Sequence, residues 1–418
     1  MAETGKIKAK KQFVNLVTYG MGQGFNLVTP LLVAPYLISI FGQGGYGKVG
    51  VGMALSFFLI VIIDYGSDII GVKDVAVNRN DKVTLGKILS TAYVARFLLL
   101  CIVLLLMTFL YYTVPYFNKE KELFLFGLPI LVGQFINPTW VFQGIENFKG
   151  ITALTIASKI IYVIGVFLTI KNAGDYIYVN LWWGIGMIIA NFIAFTRLCS
   201  MYKITLGNTS KTEVVNFLKG NFSMVFSQLF LSLQLYSPIM LISFFAGDAM
   251  AGKYKIIEHI VVAFKTYIFL FFNYVYPRVC YLIEKNIKEA MRFWKLYNGA
   301  NFIFIAICMS VLYILAKPVV HYFDKAAIDE IAGLLQFAIL LPITLAISIP
   351  LKQLVLGWNH EKFYIRLTMI MVVFNVVLLV VLLKFFKIYG VLASLIITEA
   401  ITAVLYVMII KKKLFRLN

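Results

Sequence analysis

Long apolar runs interrupted by few charges recur from one end of this chain to the other. A run of about 18 or more such residues is long enough to cross the ~30 Å hydrocarbon core of a bilayer as a helix. Inside that core the backbone has no water to bond to, so helices and closed barrels are the only spanning solutions. Length alone, 418 residues, would suggest two or three soluble domains. A chain that is 61% hydrophobic and only 14% charged removes that reading, since ordinary globular proteins carry about 25% charged residues. The expected fold class is an all-α integral membrane protein.

Breaks at charged or Gly/Pro-rich segments divide the chain into about twelve transmembrane helices. Their expected limits are 13–40, 48–72, 86–113, 122–143, 151–170, 176–197, 217–245, 250–278, 294–316, 328–357, 363–383 and 388–410. The first run follows Lys6, Lys8, Lys10 and Lys11 as a secretory signal would. It continues past Ile40, contains Pro30 and Pro35 and lacks a small-x-small cleavage pattern, so it reads as a retained helix. With both termini cytoplasmic, 24 of the 38 Lys and Arg residues fall in cytoplasmic segments and ten in external ones, the sense of the positive-inside rule. That asymmetry also explains most of the +19 net charge, through cytoplasmic loops lying near anionic lipid. A nucleic-acid partner would need a soluble basic domain with interleaved aromatics, and none is present. The four cysteines are widely spaced and indicate neither a zinc site nor a disulfide framework.

The stretch 41–50, FGQGGYGKVG, imitates two phosphate-binding motifs. Neither holds in context. A dinucleotide fingerprint needs a preceding strand, and a P-loop needs Ser or Thr after the lysine, where Val49 stands. The stretch has another meaning. Phe41-Gly42 through Gly47-Lys48-Val49 is echoed by Phe245-x-Gly247 through Gly252-Lys253-Tyr254, 205 residues later. With the long cytoplasmic loop at 198–216, this echo divides the chain into an N-terminal six-helix bundle, 1–205, and a C-terminal six-helix bundle, 206–418, related as a pseudo-two-fold internal repeat. Ser210-x-x-Glu213 reads as a capping box opening the second half.

Pro35-Tyr36-Leu37, Phe41-Gly42 and Gly45-Tyr46-Gly47, together with Asp64-Tyr65-Gly66, Lys73-Asp74-Val75-Ala76 and Arg79, resemble the motifs of the Wzx-type polysaccharide repeat-unit flippases, exporters of O-antigen. That family more often has Arg-Glu-Ile-Ala where this chain has Lys-Asp-Val-Ala, a change that keeps the charges. The resemblance implies the fold of the multidrug and toxic-compound extrusion proteins, two six-helix bundles flanking a central cavity. It also implies an undecaprenyl-diphosphate-linked oligosaccharide as substrate, moved from the cytoplasmic to the periplasmic leaflet of a bacterial inner membrane. The peptidoglycan lipid flippases share the fold, with typically more spans.

Ionisable groups inside spans are costly and each needs a reason. At ~1.5 Å per residue, about ten residues of helix bring a side chain to mid-bilayer. Arg96, Lys159 and Lys265 lie at such depths and are candidate ligands for the lipid diphosphate, Arg as a bidentate fork and Lys as a point charge. Arg278 at the edge of span eight is a candidate guide for headgroups. Opposed to this reading is mutual pairing with Asp64, Glu258 or Glu399, or snorkelling. Asp64 and Asp68, four apart and so on one face of a helix, together with Glu258 and Glu399, are candidates for gating or for coupling to H⁺ or Na⁺. No other cofactor and no metal is indicated, and no nucleophile–base constellation suggests an enzyme. The expectation is a monomeric transporter working by alternating access, passing product to a polysaccharide polymerase and chain-length machinery. Two alternatives stand: an ion-coupled drug antiporter of the same fold, and a membrane glycosyltransferase or polymerase. The second is disfavoured because the external loops are short.

Overall fold

A computed structural model describes residues 2–204, 209–358 and 360–415, with the side chains of 2–17, 19, 361 and 413–415 left aside. The expected junction at 205/206 and the amino-terminal lysines lie outside the described residues or side chains. No strand occurs among the described residues. Among the described residues, ten helical stretches are long and apolar enough to cross a membrane. Two of them, 20–64 and 362–412, each contain one non-helical residue, Gly42 and Lys387, and so make two crossings apiece. The result is twelve helices: α1 (2–41), α2 (43–64), α3 (Lys82–Thr113), α4 (Lys121–Gly144), α5 (Phe148–Thr169), α6 (Tyr178–Tyr202), α7 (Lys211–Ala246), α8 (Asp248–Lys285), α9 (Ile287–Ile314), α10 (Ile328–Gly357), α11 (361–386) and α12 (388–415).

By internal packing the chain forms two compact units, Met1–Tyr236 and Ser237–Asn418. Most of α7, residues 211–236, belongs to unit 1 because it is bonded there. Tyr65 donates its hydroxyl to Leu218 O at 3.0 Å, and Phe57 and Tyr236 lie ring to ring at 5.9 Å. Ser210 and Glu213 form the expected reciprocal cap at the start of α7, with Ser210 N–H donating to Glu213 Oε2 at 2.7 Å and Glu213 N–H donating to Ser210 Oγ at 3.2 Å. At the head of α3, Asp81 accepts from the amides of Val83 and Thr84. The Thr84 hydroxyl and amide hold the Asp81 carboxyl below its usual range, so this cap is present above the ordinary carboxylate pKa and lost on acidification.

The internal echo is a backbone event. Gly42 adopts φ 66°, ψ −175°, and Gly247 φ 89°, ψ 162°, a region open essentially to glycine alone. Six residues beyond each glycine a lysine is ion-paired to the start of a later crossing: Lys48 to Glu120, and Lys253 to Glu330. Tyr176 completes the first pair by donating to Glu120 Oε2 at 2.6 Å. Open space surrounds both glycines, so a methyl group there meets no neighbour and reports the backbone alone. Gly42→Ala or Gly247→Ala is therefore expected to cost about 1–3 kcal/mol, read as a lowered unfolding midpoint in detergent. Gly44→Ala, at a helical and equally uncrowded position, should cost nothing measurable.

Candidate functional site

Two interruptions in unit 1 build its interior. The helix of α2 ends at Asp64, because Tyr65 (φ 46°) and Gly66 (φ 76°) are left-handed, and the chain resumes as a π-turn, Ser67–Gly71. In α4 the segment Leu128–Phe135 stops short of Pro138, which has no N–H to offer and disfavours helix in the residue before it. Each interruption deprives a buried carbonyl of its i+4 donor, Ile63 O in α2 and Gln134 O in α4. Arg96 of α3 supplies both. Its Nε donates to Ile63 O at 3.3 Å and its Nη2 to Gln134 O at 3.0 Å, and Nη2 also reaches Asp64 Oδ1 at 2.8 Å. The guanidinium is wholly buried and lies 5.4 Å and 5.8 Å from the ring centres of Tyr93 and Trp140. Gln134 closes the group by donating Nε2 to both Asp64 oxygens. Arg96, expected as a diphosphate ligand, is thus placed against an acidic partner and two carbonyls, holding two helix ends together.

The same breaks turn polar groups towards an adjacent cavity of about 300 Å³, walled by α1, α2, α4, α5 and α6. Lys159 lies here, 7% exposed, with its ammonium 3.2 Å from the centre of the Trp183 ring. Among the described residues it meets no carboxylate. Gln23, Asn26 and Gln143 also border the cavity and have no side-chain partner among the described residues, whereas Gln134 and Asn137 are bonded to each other. Small residues set this wall. Gly184 faces the α4 backbone and Gly186 the Ser158 carbonyl so closely that added Cβ atoms would stand 2.6 Å from Ile130 N and 2.5 Å from Ser158 O. Close approach through glycine is the usual device for packing membrane helices. Here it brings α6, with Trp183, against α5, with Lys159.

Unit 2 has its own charged group. Glu399 of α12 accepts from Ser348 Oγ at 2.8 Å and lies within electrostatic reach of Lys265 and Lys352. Sequence reasoning singled out Glu399 and Lys265 without Lys352, whose ammonium sits 4.5 Å from the Tyr364 ring centre. Its signal was available: a single cation two residues after Gly- and charge-free sequence ending in Pro350. Two cations thus face one carboxylate.

The remaining candidates separate from these groups. Asp64 and Asp68 do not share a helix face, because the left-handed residues between them turn Asp64 inward and leave Asp68 exposed, where it accepts from Gln228 at 2.9 Å. Glu258 is paired with Lys255 at 2.6 Å on its own helix. Arg278 is exposed and lies 5.2 Å from the Tyr281 ring centre. No cluster of metal-ligating side chains occurs among the described residues.

Twelve helices with paired turns at Gly42 and Gly247 are the fold of the extrusion-type membrane transporters. An inward-facing multidrug resistance transporter of the MATE family superposes with TM-score 0.76 at 14% identity, covering 97% of this chain and 98% of that one. The lipid II flippase MurJ, in its inward closed conformation, gives 0.73 at 16% identity over 94% of this chain and 87% of that one. The chain belongs to the polysaccharide biosynthesis protein family, whose model matches residues 13–282. A relative from Escherichia coli (strain K12), described as "Putative O-antigen transporter", is 23% identical over 416 residues, 98% of each chain. A second of the same description, from Shigella dysenteriae, is 22% identical over 394 residues, 93% of this chain and 97% of that one. This is a multi-pass membrane protein whose relatives are transporters and flippases.

Proposed function

We propose that this chain is a flippase carrying a lipid-diphosphate-linked oligosaccharide from the cytoplasmic to the periplasmic leaflet of a bacterial inner membrane, with both termini cytoplasmic. One observation supports the reading most: at span depth each unit holds a cation beyond what its carboxylates neutralise. In unit 1 Arg96 is matched by Asp64 and Lys159 by nothing; in unit 2 Lys265 and Lys352 share Glu399. An uncompensated charge away from bulk water is unfavourable, and an anionic headgroup passing between leaflets supplies the missing partner. A cationic drug would meet repulsion at the same positions.

Alternating access is the mechanism this reading adopts. The Asp68–Gln228 contact and the Tyr65–Leu218 hydrogen bond fasten the end of α2 to the start of α7. The first is exposed and the second part-buried, so they can open at small cost. Asp64 and Glu399 are the carboxylates at span depth where H⁺ or Na⁺ could couple the cycle, and the product would pass to a polymerase.

Leaflet exchange of a diphosphate-linked oligosaccharide in reconstituted vesicles tests this. Lys265→Met and Lys352→Met should each slow exchange about tenfold, the equivalent of about 1.5 kcal/mol for one lost charge-assisted contact. Arg278→Ala should leave exchange nearly unchanged. Normal exchange in a Lys265→Met/Lys352→Met double variant would overturn the reading.

A further inference from the structure

We infer that the unit 1 cavity is a recognition site for a single acidic sugar ring, engaged through its carboxylate by Lys159. This deepens the flippase reading and rests on it for biological meaning, but the site is built from local geometry. Four polar side chains without partners among the described residues, Gln23 and Asn26 on α1, Gln143 on α4 and Lys159 on α5, border one space. Gln23 and Asn26 are half-buried and Gln143 is exposed, whereas Lys159 is enclosed. An enclosed polar group is ordinarily bonded, so Lys159 beside the three amides marks a place where a ligand or water supplies the bonds. Lys159 is more than nine-tenths buried and lines the cavity.

The chemistry of the lining narrows the ligand. The ammonium has three donors and no acceptor, and the Trp183 face beneath it takes none of them as a hydrogen bond. An anion would satisfy those donors and the buried charge together. The three amides each offer a donor pair and an acceptor, matching vicinal hydroxyls that donate and accept at once. Phe57 and Trp183 supply flat apolar faces for the C–H side of a ring. Charge at one point, amides around it and aromatic faces beside it suit a uronate or another sugar acid. A naked inorganic anion would leave the amides unused, and an apolar drug would strand all four groups.

Size narrows it further. At about 300 Å³ the space is at the small end of ligand pockets, about 300–1,000 Å³. One pyranose ring fits within it. The site would thus read one residue of the cargo while the remaining sugars stay outside it.

Titration of detergent-solubilised protein with glucuronate, glucose and inorganic pyrophosphate, followed by Trp fluorescence and calorimetry, distinguishes the sources of anion. Glucuronate should bind at least tenfold more tightly than glucose. Lys159→Met should abolish that preference while keeping or raising the melting temperature, since it removes an unpaired buried charge. Gln143→Ala, which alters no charge, should weaken glucuronate several-fold and keep the preference over glucose. Equal binding of glucose and glucuronate, or unchanged binding in Lys159→Met, would overturn the inference. So would pyrophosphate displacing glucuronate at lower concentration, which would give the cavity to the lipid diphosphate. Glucuronate binding that persists in a protein without leaflet exchange would uphold this site and remove the flippase reading instead.

Discussion

Arg96→Met lowers the stability of the N-terminal unit by about 3–5 kcal/mol, the cost of removing one partner of a buried ion pair. The substitution leaves Asp64 with only Gln134 as a donor, and strips Ile63 O and Gln134 O of the group that compensates for two broken helices. The double variant Arg96→Met/Asp64→Leu removes the stranded carboxylate and regains a part of the loss, though Ile63 O loses its Arg96 donor and Gln134 O keeps only the Asn137 amide at 3.1 Å. Unfolding in detergent, followed by near-ultraviolet dichroism because Tyr93 and Trp140 border the guanidinium, measures both. Equal midpoints for single and double variants would show that the carbonyls, and not the carboxylate, need Arg96. Wild-type midpoints in the single variant would remove it from the architecture altogether.

Gly184→Leu is expected to be nearly as damaging, by a different route. A Cβ at this position already stands 2.6 Å from the α4 backbone, which cannot rotate away as a side chain would. Overpacking of this kind costs about 1–3 kcal/mol. Its functional cost should be larger, because α4 carries Gln134, Asn137 and Gln143 while α6 carries Trp183 and Asn191, and all five border the cavity. Separating these helices moves one wall from the other. Leaflet exchange should fall more than tenfold, a loss of about 1.4 kcal/mol or more in effective barrier. Gly174→Leu, in a short turn with nothing within 4 Å, is the matched control and should behave as wild type. Comparable exchange in the two variants would separate helix spacing from transport.

Hydropathy made the number of crossings legible, and the echo around Gly42 and Gly247 located the two turns that the backbone confirms. Depth was legible too, since position along a helix is linear in sequence: Arg96, Lys159, Lys265 and Glu399 all lie inside spans. Direction around the helix was not, because it depends on where neighbours break. Arg96 is turned to Asp64 by interruptions in two other helices. One of these, Asn137-Pro138, could be read from the restriction proline places on its predecessor. The other could not, because Tyr65 takes a left-handed conformation that non-glycine residues seldom adopt, and helical spacing then misplaced Asp68 beside Asp64. Lys159 is placed at span depth by sequence, and the glycine-mediated approach of α5 and α6 shows what encloses it.

The matched turns allow the first three crossings to be laid on their counterparts. Lys48 and Lys253 keep the 205-residue offset of Gly42 and Gly247, and α3 and α9 open at Lys82 and Ile287 with the same offset. By that ruler Arg96 falls on Asn301, a neutral amide that is 4% exposed and whose oxygen and nitrogen have no partner. The two stretches thus share the hairpins and their charged clasps, while the third crossing carries a guanidinium in one and a neutral amide in the other. Inference carried from one copy to the other is sound at the hairpins and unsound along that third crossing.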